Sequence, residues 1–367
     1  MCLSGRSLRY VWQPSPFVPF LSLLPMPILK HRLLRLVALA RRYPGVIAAF
    51  GFVSGVASFF LVDRHEGFAR IIALVMLLGW VWLVLERMLS EMLLDRFGLR
   101  LPAPVLRYAT QLIHQESLFF ALPFFLASTS WNSGQAVFTG GLIVAALVAL
   151  LDPIYYRRLA PRRWLFLTYH TLTLFVVLLV AMPLILQLPT ARSYELALGI
   201  AVLLAFPSLL GSITVPRWWR GVLVVGLMGA LAATGWLARL WVPPATLRLT
   251  DVAVASRIDD AQRAPADSLA EIDAAQLAAQ GLYAYTAISA PLGLQERVQH
   301  VWLHEGREID RIALDIRGGR KEGYRAWTHK QRFPENPAGR WQVRVLTGDE
   351  QMIGTLRFRV SGMPAGG

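Results

Sequence analysis

The sequence has few charged residues and almost no cysteine. Only 16% of its 367 residues are charged and 55% are hydrophobic, whereas soluble domains carry about a quarter charged residues. A soluble globular protein is therefore not expected, and a disordered chain is excluded because the apolar content is too high. The single cysteine, Cys2, excludes an intrachain disulfide and gives no information about the redox compartment.

The common catalytic signatures are also missing. The sequence contains no Gly-x-Ser-x-Gly elbow, no phosphate-binding Gly-rich loop ending in Lys-Ser/Thr, no dinucleotide fingerprint and no His-Glu-x-x-His motif. His65-Glu66 begins like the last of these, but position 69 is Ala69. One cysteine cannot build a thiolate metal site. We therefore expect no enzyme activity, no cofactor and no metal site.

The net charge of +14 belongs to the first two thirds of the chain. Residues 1–244 hold 21 basic and 8 acidic residues, a balance of +13, whereas residues 245–367 hold 16 basic and 15 acidic residues, a balance of +1. The basic residues lie in short segments between apolar runs, which is typical of membrane topology signals. Nucleic acid is therefore not an expected partner. Arginine outnumbers lysine 34 to 3, which indicates a GC-rich bacterial genome.

Seven apolar runs are candidates for membrane-spanning helices, because about 20 apolar residues cross the hydrocarbon core. Six runs are clear, and the seventh is short, contains Pro123 and extends backwards towards His114 and Glu116. The runs cover residues 46–62, 69–85, 117–131, 136–151, 164–186, 194–215 and 221–242. The sequence thus predicts an α-helical transmembrane bundle of about seven helices over residues 46–242.

The loops between these runs predict the orientation of the bundle. Fifteen basic residues lie in the N-terminal segment and in alternate loops, against three, Arg64, Arg70 and Arg192, in the other loops. The positive-inside rule then puts the N-terminus in the cytoplasm, and an odd number of spans carries the chain after about residue 243 to the other side. We expect a multi-pass protein of the bacterial inner membrane with a periplasmic C-terminal domain.

Residues 1–45 are expected to form a cytoplasmic segment. Five prolines between residues 13 and 27 exclude a spanning helix there. A secretory signal is not expected, because no small-residue cleavage site follows a compact apolar run. Residues 1–25 are either a disordered leader or a stretch upstream of a true start at Met26.

Pro243 and Pro244 end the last apolar run and begin a more polar region. Residues 243–281 are expected to hold a linker, a first strand, and a short helix over 268–280 with Ser268 and Glu271 as a capping box and Gly281 as its stop. Short strands separated by turn residues follow over 283–289, 297–304, 311–317, 324–331, 341–347 and 352–360. This spacing predicts a small all-β, immunoglobulin-like sandwich over residues 282–361, with a disordered tail over 362–367.

Three of these strands carry residues of a recognisable pattern. The sequence reads His300-Val-Trp302, then Arg325-Ala-Trp327-Thr328-His329-Lys330, then Gly339-Arg-Trp341, and ends on Phe358-Arg-Val360. A His/Trp strand, an Arg-x-Trp-Ser/Thr-x-Lys strand and a Gly-x-Trp strand resemble a bacterial domain of unknown function that ends multi-span membrane proteins. The resemblance covers residues 280–360 and implies a domain type but no activity. Trp341 shares a strand face with Val343 and Val345, which predicts a core position.

The same strands supply candidate ligand-binding residues. Strand alternation puts His300 and Trp302 on one face of their strand, and Arg325, Trp327 and His329 on one face of theirs. These side chains are either ordinary core and surface residues or an aromatic–basic platform that stacks a sugar ring or grips an acidic envelope polymer. The candidate set is His300, Trp302, Arg325, Trp327, His329 and Lys330. His300 and His304 are about 13 Å apart on a strand, too far to share a metal ion.

Ionisable residues within the apolar runs are the other candidates, because their burial in a membrane is costly. His114, Glu116 and His170 are such residues. We therefore expect an inner-membrane protein that presents a periplasmic binding module for a protein, a glycan or an acidic envelope ligand. The alternative is a transporter or channel that uses a Glu116–His170 pair.

Overall fold

The computed structural model describes residues 66–97, 103–212, 217–320 and 322–362. It contains a helical unit followed by a β-rich domain. The predicted N-terminal segment, the predicted span over 46–62 and all but the first residue of the predicted tail lie outside the described residues.

The helical unit is built around one central helix. This helix, Arg163–Leu186, packs against the helices Glu66–Phe97, Ala103–Ser128 and Thr190–Ser212, and every residue from Thr173 to Leu184 in it is buried. The elements are α1 (Glu66–Phe97), α2 (Ala103–Ser128), α3 (Gln135–Leu150), α4 (Asp152–Ile154) with a π-helical turn (Tyr155–Leu159), α5 (Arg163–Leu186), α6 (Thr190–Ser212), and α7 (Arg217–Leu237) with a 3₁₀ turn (Ala238–Trp241).

The prediction of about seven membrane-spanning helices is wrong. Within the described ranges, two segments are long and apolar enough to cross a membrane, Arg163–Leu186 and Gly221–Trp241. A third is added if α3 and the turn after it, which are bent by 92°, count as one span. Two further runs lie on long helices that are only partly apolar: the apolar part of α1 is confined to Ala69–Leu85, and α2 carries Gln111, His114, Gln115 and Glu116.

The β-rich domain packs on one end of the helical unit. The side-chain amide of Gln135 at the start of α3 donates to the Met352 carbonyl (2.9 Å), and the backbone amide of Thr190 donates to the Glu296 carboxylate (2.6 Å). The central helix α5 is about 36 Å long. Its other end begins at Arg163 and follows directly on the turn that holds Arg157, Arg158 and Arg162. The arginine-bearing turn and the β-rich domain therefore lie at opposite ends of α5.

The β-rich domain contains two main sheets and a small hairpin. The elements are β1 (Arg248–Ala255), β2 (Ile258–Asp259), β3 (Ala264–Pro265), β4 (Glu271–Asp273), α8 (Ala274–Gln280), β5 (Leu282–Ser289), β6 (Gln295–His304), β7 (Arg307–Arg317), β8 (Tyr324–Lys330), β9 (Gly339–Thr347) and β10 (Met352–Ser361). The sheet orders are β1-β5-β8 and β4-β10-β9-β6-β7, and β2 pairs with β3.

The expectation of an all-β, immunoglobulin-like antiparallel sandwich is also wrong. The strand β4 runs parallel to β10, so the larger sheet is mixed, and α8 follows β4 directly. The predicted helix begins only at Ala274, where Asp273 accepts a hydrogen bond from the Ala275 amide (2.7 Å). Residues 271–273 form a strand instead because Ile272 is buried in the core. The predicted stop at Gly281 is confirmed: the helix ends at Gln280, and Gly281 follows with a φ of 71°, which glycine adopts without strain.

The two main sheets enclose one apolar core. Trp302 and Trp341 are fully buried in it together with Leu247, Val254 and Leu282 from the first half of the domain. The core position predicted for Trp341 is confirmed: its ring stacks on Phe358 at 5.9 Å, and its indole N–H donates to the Pro337 carbonyl (2.8 Å).

Candidate functional site

A cluster of histidine and aromatic side chains lies inside the helical unit. His114 of α2 is fully buried. Its Nδ1 is 2.8 Å from the Tyr155 hydroxyl, and its Nε2 is 2.8 Å from Nδ1 of His170. The rings of Trp80 and His170 are in contact at 4.8 Å between centroids. We call His114, His170, Tyr155 and Trp80 the histidine cluster; its hydrogen bonds form a continuous chain from Tyr155 to His170.

Glu116 does not belong to the same helix face as His114. Residues two apart on a helix point in different directions, so the buried Glu116 projects away from the histidine cluster. The structure thus brings His114, rather than Glu116, into contact with His170. Ser117 is the next neighbour of the cluster, because its hydroxyl accepts a hydrogen bond from the Trp80 indole N–H (2.9 Å).

The histidine cluster lies near the arginine-bearing end of α5. His170 is seven residues from Arg163, the first residue of the helix, which corresponds to about 10 Å along the axis. Beyond it, the buried run from Thr173 to Leu184 contains no ionisable side chain. The hydrogen-bonded chain can therefore relay a proton locally, but α5 does not continue it towards the β-rich domain. In the part of the chain that the structure describes, no group of three His, Cys, Asp or Glu residues is arranged to hold a metal ion.

The predicted ligand-binding residues of the β-rich domain divide into two sets. Strand β6 belongs to the larger sheet and β8 to the smaller one, so the two strands face each other across the core. His300, Trp302 and Lys330 point inwards and are buried. Arg325, Trp327 and His329 alternate with the inward residues of β8 and lie on the outer face of the smaller sheet. The six residues therefore do not share one surface.

His300 links the two sheets through side-chain hydrogen bonds. Its ring nitrogens are 3.1 Å from the Thr286 hydroxyl and 3.0 Å from the Thr328 hydroxyl. Burial lowers the pKa of His300 from 6.5 to about 4, so the ring is neutral at pH 7. The threonine of the Arg-x-Trp-Ser/Thr-x-Lys pattern thus has a structural partner in the histidine of the His/Trp strand.

The buried Lys330 is held by an acidic partner on β7. Its ammonium donates to the Asp310 carboxylate (2.7 Å) and lies 5.6 Å from the centre of the Phe333 ring. The hydrogen bond from Lys330 lowers the pKa of Asp310 below its usual range. A buried cation satisfied in this way is not available to a ligand.

The outer residues of β8 hold the β2–β3 hairpin against the smaller sheet. The Arg325 guanidinium donates to the Gln262 carbonyl (2.6 Å), and the Arg263 guanidinium lies 5.5 Å from the centre of the Trp327 ring. His329 stacks on Tyr283 at 4.0 Å, nearly parallel. These groups already make intramolecular contacts, so the outer face of the smaller sheet is largely occupied by the hairpin.

The outer face of the larger sheet presents a different set of cations. Strands β9 and β10 contain four arginines and no acidic residue, and the arginines alternate with the core residues Trp341, Val343, Leu356 and Phe358. All four therefore point outwards. We call Arg340, Arg344, Arg357 and Arg359 the arginine face.

The arginine face is largely free of internal ion pairs. Arg340, Arg357 and Arg359 are exposed and Arg344 is half-buried. Arg340 pairs with Glu305 (3.4 Å), and Arg359 lies opposite Glu271 in the register of β10 and β4. Within the described part of the chain, Arg344 and Arg357 have no ion pair. The sequence contained the signal for this face: the apolar alternation of Leu356, Phe358 and Val360 requires Arg357 and Arg359 to lie on the other side.

At the junction with the helical unit, Glu296 is a buried acid. Burial raises the pKa of its carboxyl group, while the hydrogen bond from the Thr190 amide opposes that rise. Gln351 is another buried residue of the junction, and its side-chain amide donates to the Val242 carbonyl (3.0 Å). These contacts fasten the β-rich domain to the ends of α6 and α7.

Together, the fold defines a chain in which a unit of apolar helices carries a C-terminal β-rich domain. The chain belongs to a family of unknown function, DUF5924, whose model matches residues 26–284. A second model, for a protein of unknown function, DUF2914, matches residues 295–360. The expected kinship with a family of unknown function is confirmed. No curated protein and no solved structure matches the chain.

Proposed function

We propose that this chain is a membrane-anchored protein that holds its β-rich domain on the periplasmic side of a bacterial inner membrane, where the domain binds an acidic ligand. The helical unit is the anchor, with its arginine-bearing turns in the cytoplasm. The arginine face of the larger sheet is the ligand-binding surface.

Exposed apolar side chains on the helical unit support the membrane anchor. Large residues are exposed along several helices, among them Leu78 (67%) on α1, Val137 (66%) on α3 and Leu237 (76%) on α7. Soluble monomers rarely expose contiguous apolar patches of this kind, whereas lipid tails cover them at no cost. The separation of the arginine-bearing turn from the β-rich domain by the length of α5 agrees with the positive-inside rule.

The arginine face carries the ligand proposal. Guanidinium groups form bidentate, charge-assisted hydrogen bonds with carboxylates and phosphates. Arg340 and Arg359 are direct cross-strand neighbours, and like charges in such positions destabilise a sheet. Glu305 and Glu271 already flank this pair of arginines, and an acidic ligand offsets the remaining repulsion.

A matched pair of charge-reversal variants tests the acidic-ligand site. The double variant Arg344→Glu and Arg357→Glu reverses the charge of the two arginines that have no ion pair in the described part of the chain, and Arg307→Glu with Arg317→Glu makes the same charge change on β7. Both proteins are prepared as the full chain in lipid nanodiscs, and binding of a fluorescent anionic polymer is measured by anisotropy. We expect the β9–β10 variant to bind at least about tenfold more weakly and the β7 variant to bind within about twofold of the parent. Equal losses in both variants would contradict a specific site.

Transport is the second candidate function, and the histidine cluster is the observation that favours it. A hydrogen-bonded histidine pair buried among helices is suited to a proton or ion step. Transport ranks second because the buried run of α5 beyond His170, from Thr173 to Leu184, contains no ionisable side chain. Proton flux into proteoliposomes distinguishes the two functions: transport through the histidine cluster requires that His114→Gln and His170→Gln abolish flux, with His329→Gln as the control. A parent chain without flux rules out proton transport.

A further inference from the structure

The arginine face is a ladder of three cross-strand pairs. In the register of β9 and β10, Arg344 is opposite Thr355, Gln342 is opposite Arg357, and Arg340 is opposite Arg359. Successive pairs are two residues apart, or about 7 Å along the strands. Each pair therefore offers at least one guanidinium, and the first two pairs add an uncharged polar group.

From this ladder we infer that the acidic ligand is a linear carboxylated polysaccharide lying along β9 and β10. This inference rests on the acidic-ligand site proposed above and names its ligand class. The four arginines bind carboxylates, and the Gln342 amide and the Thr355 hydroxyl bind sugar hydroxyls between them. A polyphosphate accepts hydrogen bonds from the arginines, the Gln342 amide and the Thr355 hydroxyl, but it has no hydroxyl group to donate to the Gln342 carbonyl oxygen or to the Thr355 oxygen.

The composition of the face disfavours a protein partner. Protein interfaces draw most of their affinity from buried aromatic and aliphatic anchors at their centre. The outward positions of the ladder contain no aromatic or aliphatic residue; Leu346 lies beyond its first pair and is itself buried. A flat row of polar groups suits an extended polymer better than a folded protein surface.

The position of the face disfavours lipid headgroups. The first residue of β10, Met352, accepts the hydrogen bond from Gln135 of the helical unit. The Arg340–Arg359 pair is seven residues further along β10, about 23 Å from that contact. The ladder thus leads away from the helical unit towards the solvent beyond it.

A panel of defined polymers tests the ligand class on the full chain in nanodiscs. The probes are polygalacturonate as a monomer, a short oligomer and a long polymer, together with neutral dextran, inorganic polyphosphate and poly-glutamate. We expect polygalacturonate to bind at least about tenfold more tightly than the other polymers. The affinity should rise with length until the oligomer reaches all three pairs, about 14 Å apart end to end.

The variant Gln342→Ala with Thr355→Val separates sugar recognition from charge recognition. It should weaken polygalacturonate binding about threefold to tenfold and weaken polyphosphate binding less, because a polyphosphate uses only the donors of these two groups. The exposed amide control Gln295→Ala should change neither affinity. Binding of polyphosphate or poly-glutamate as tightly as polygalacturonate overturns the polysaccharide inference and leaves the acidic-ligand site standing. Binding of no anionic polymer overturns both. Equal binding of dextran overturns the role of the carboxylates.

Discussion

At the scale of single residues, the motif of the β-rich domain is a set of internal contacts. His300 spans the gap between the sheets to reach Thr286 and Thr328, and Lys330 is neutralised by Asp310. Buried polar groups are costly unless they are hydrogen-bonded. The histidine, threonine and lysine of the motif are thus explained by the need of buried polar groups for hydrogen-bond partners, and no ligand is required to account for them.

The neutral His300 makes the stability of the β-rich domain depend on pH. Its pKa is lowered to about 4 in the folded domain, against 6.5 when exposed, so acid protonates the unfolded chain first. The contribution of the neutral His300 to the free energy of unfolding is fully present above about pH 6.5. It is lost as the pH falls towards 4, and the total loss is about 3 kcal/mol. Native-state hydrogen exchange of β6 amides measures this loss.

Two histidine variants serve as the comparison for this pH effect. His300→Gln should be less stable at pH 7 but should lose less stability between pH 6.5 and 4. His329→Gln, which changes a half-exposed ring on the outer face, should keep the parent slope. An unchanged slope in His300→Gln would contradict the assignment.

Strand alternation predicted the residue faces but not their partners. It correctly grouped Arg325, Trp327 and His329 on one side of β8, because side chains alternate whatever the strand pairs with. It did not reveal that β6 and β8 belong to different sheets, since pairing depends on distant strands. For that reason the predicted platform divides into an inner set and an outer set. The arginine face needed only the alternation of β9 and β10 and was predictable.

At the scale of elements, the helices show why apolar runs overestimate membrane spans. The run over 136–151 ends in a sharp bend after Leu150, and the run over 117–131 is the second half of a longer polar-to-apolar helix. The apolar runs correctly indicated where the helices of the described ranges lie. They did not show whether about 20 apolar residues continue along one straight helix, because a bend such as the one after Leu150 is set by the folded structure.

The junction between β6 and α6 is the element-scale contact most open to a test. Replacing Glu296 by alanine leaves the buried Thr190 amide without its acceptor, at an expected cost of about 1–3 kcal/mol. Glu296→Gln keeps an acceptor oxygen and should lose less. Hydrogen exchange of the first turn of α6 reports the change. Gln295→Ala, at the exposed neighbouring position, should leave that turn protected; exchange as fast as in Glu296→Ala would contradict the role of Glu296.

At the scale of the whole molecule, the β-rich domain contains residues from both regions that the family models match. Strand β8 lies in the region matched over 295–360, but its neighbour β5 begins in the region matched over 26–284. The core likewise mixes Leu247 and Val254 with Trp302 and Trp341. The end of the first matched region and the second matched region therefore fold together as one β-rich domain.

Truncated chains test this shared core. A fragment covering residues 295–362 lacks β1, β4 and β5, so it leaves one face of the core open and should show no cooperative thermal transition. A fragment covering residues 243–362 retains all ten strands and should unfold in a single transition, followed by near-ultraviolet circular dichroism. A sharp transition in the shorter fragment would contradict a shared core.

The account depends most on an arginine face that is outside the cytoplasm and open to an acidic polymer. Labelling of Arg357→Cys, in a chain whose only cysteine is removed by Cys2→Ser, tests both conditions at once. With a membrane-impermeant maleimide on intact bacterial spheroplasts, we predict rapid labelling that added polygalacturonate slows. Labelling that requires lysis of the spheroplasts would contradict the periplasmic location, and labelling that polygalacturonate does not slow would contradict the site.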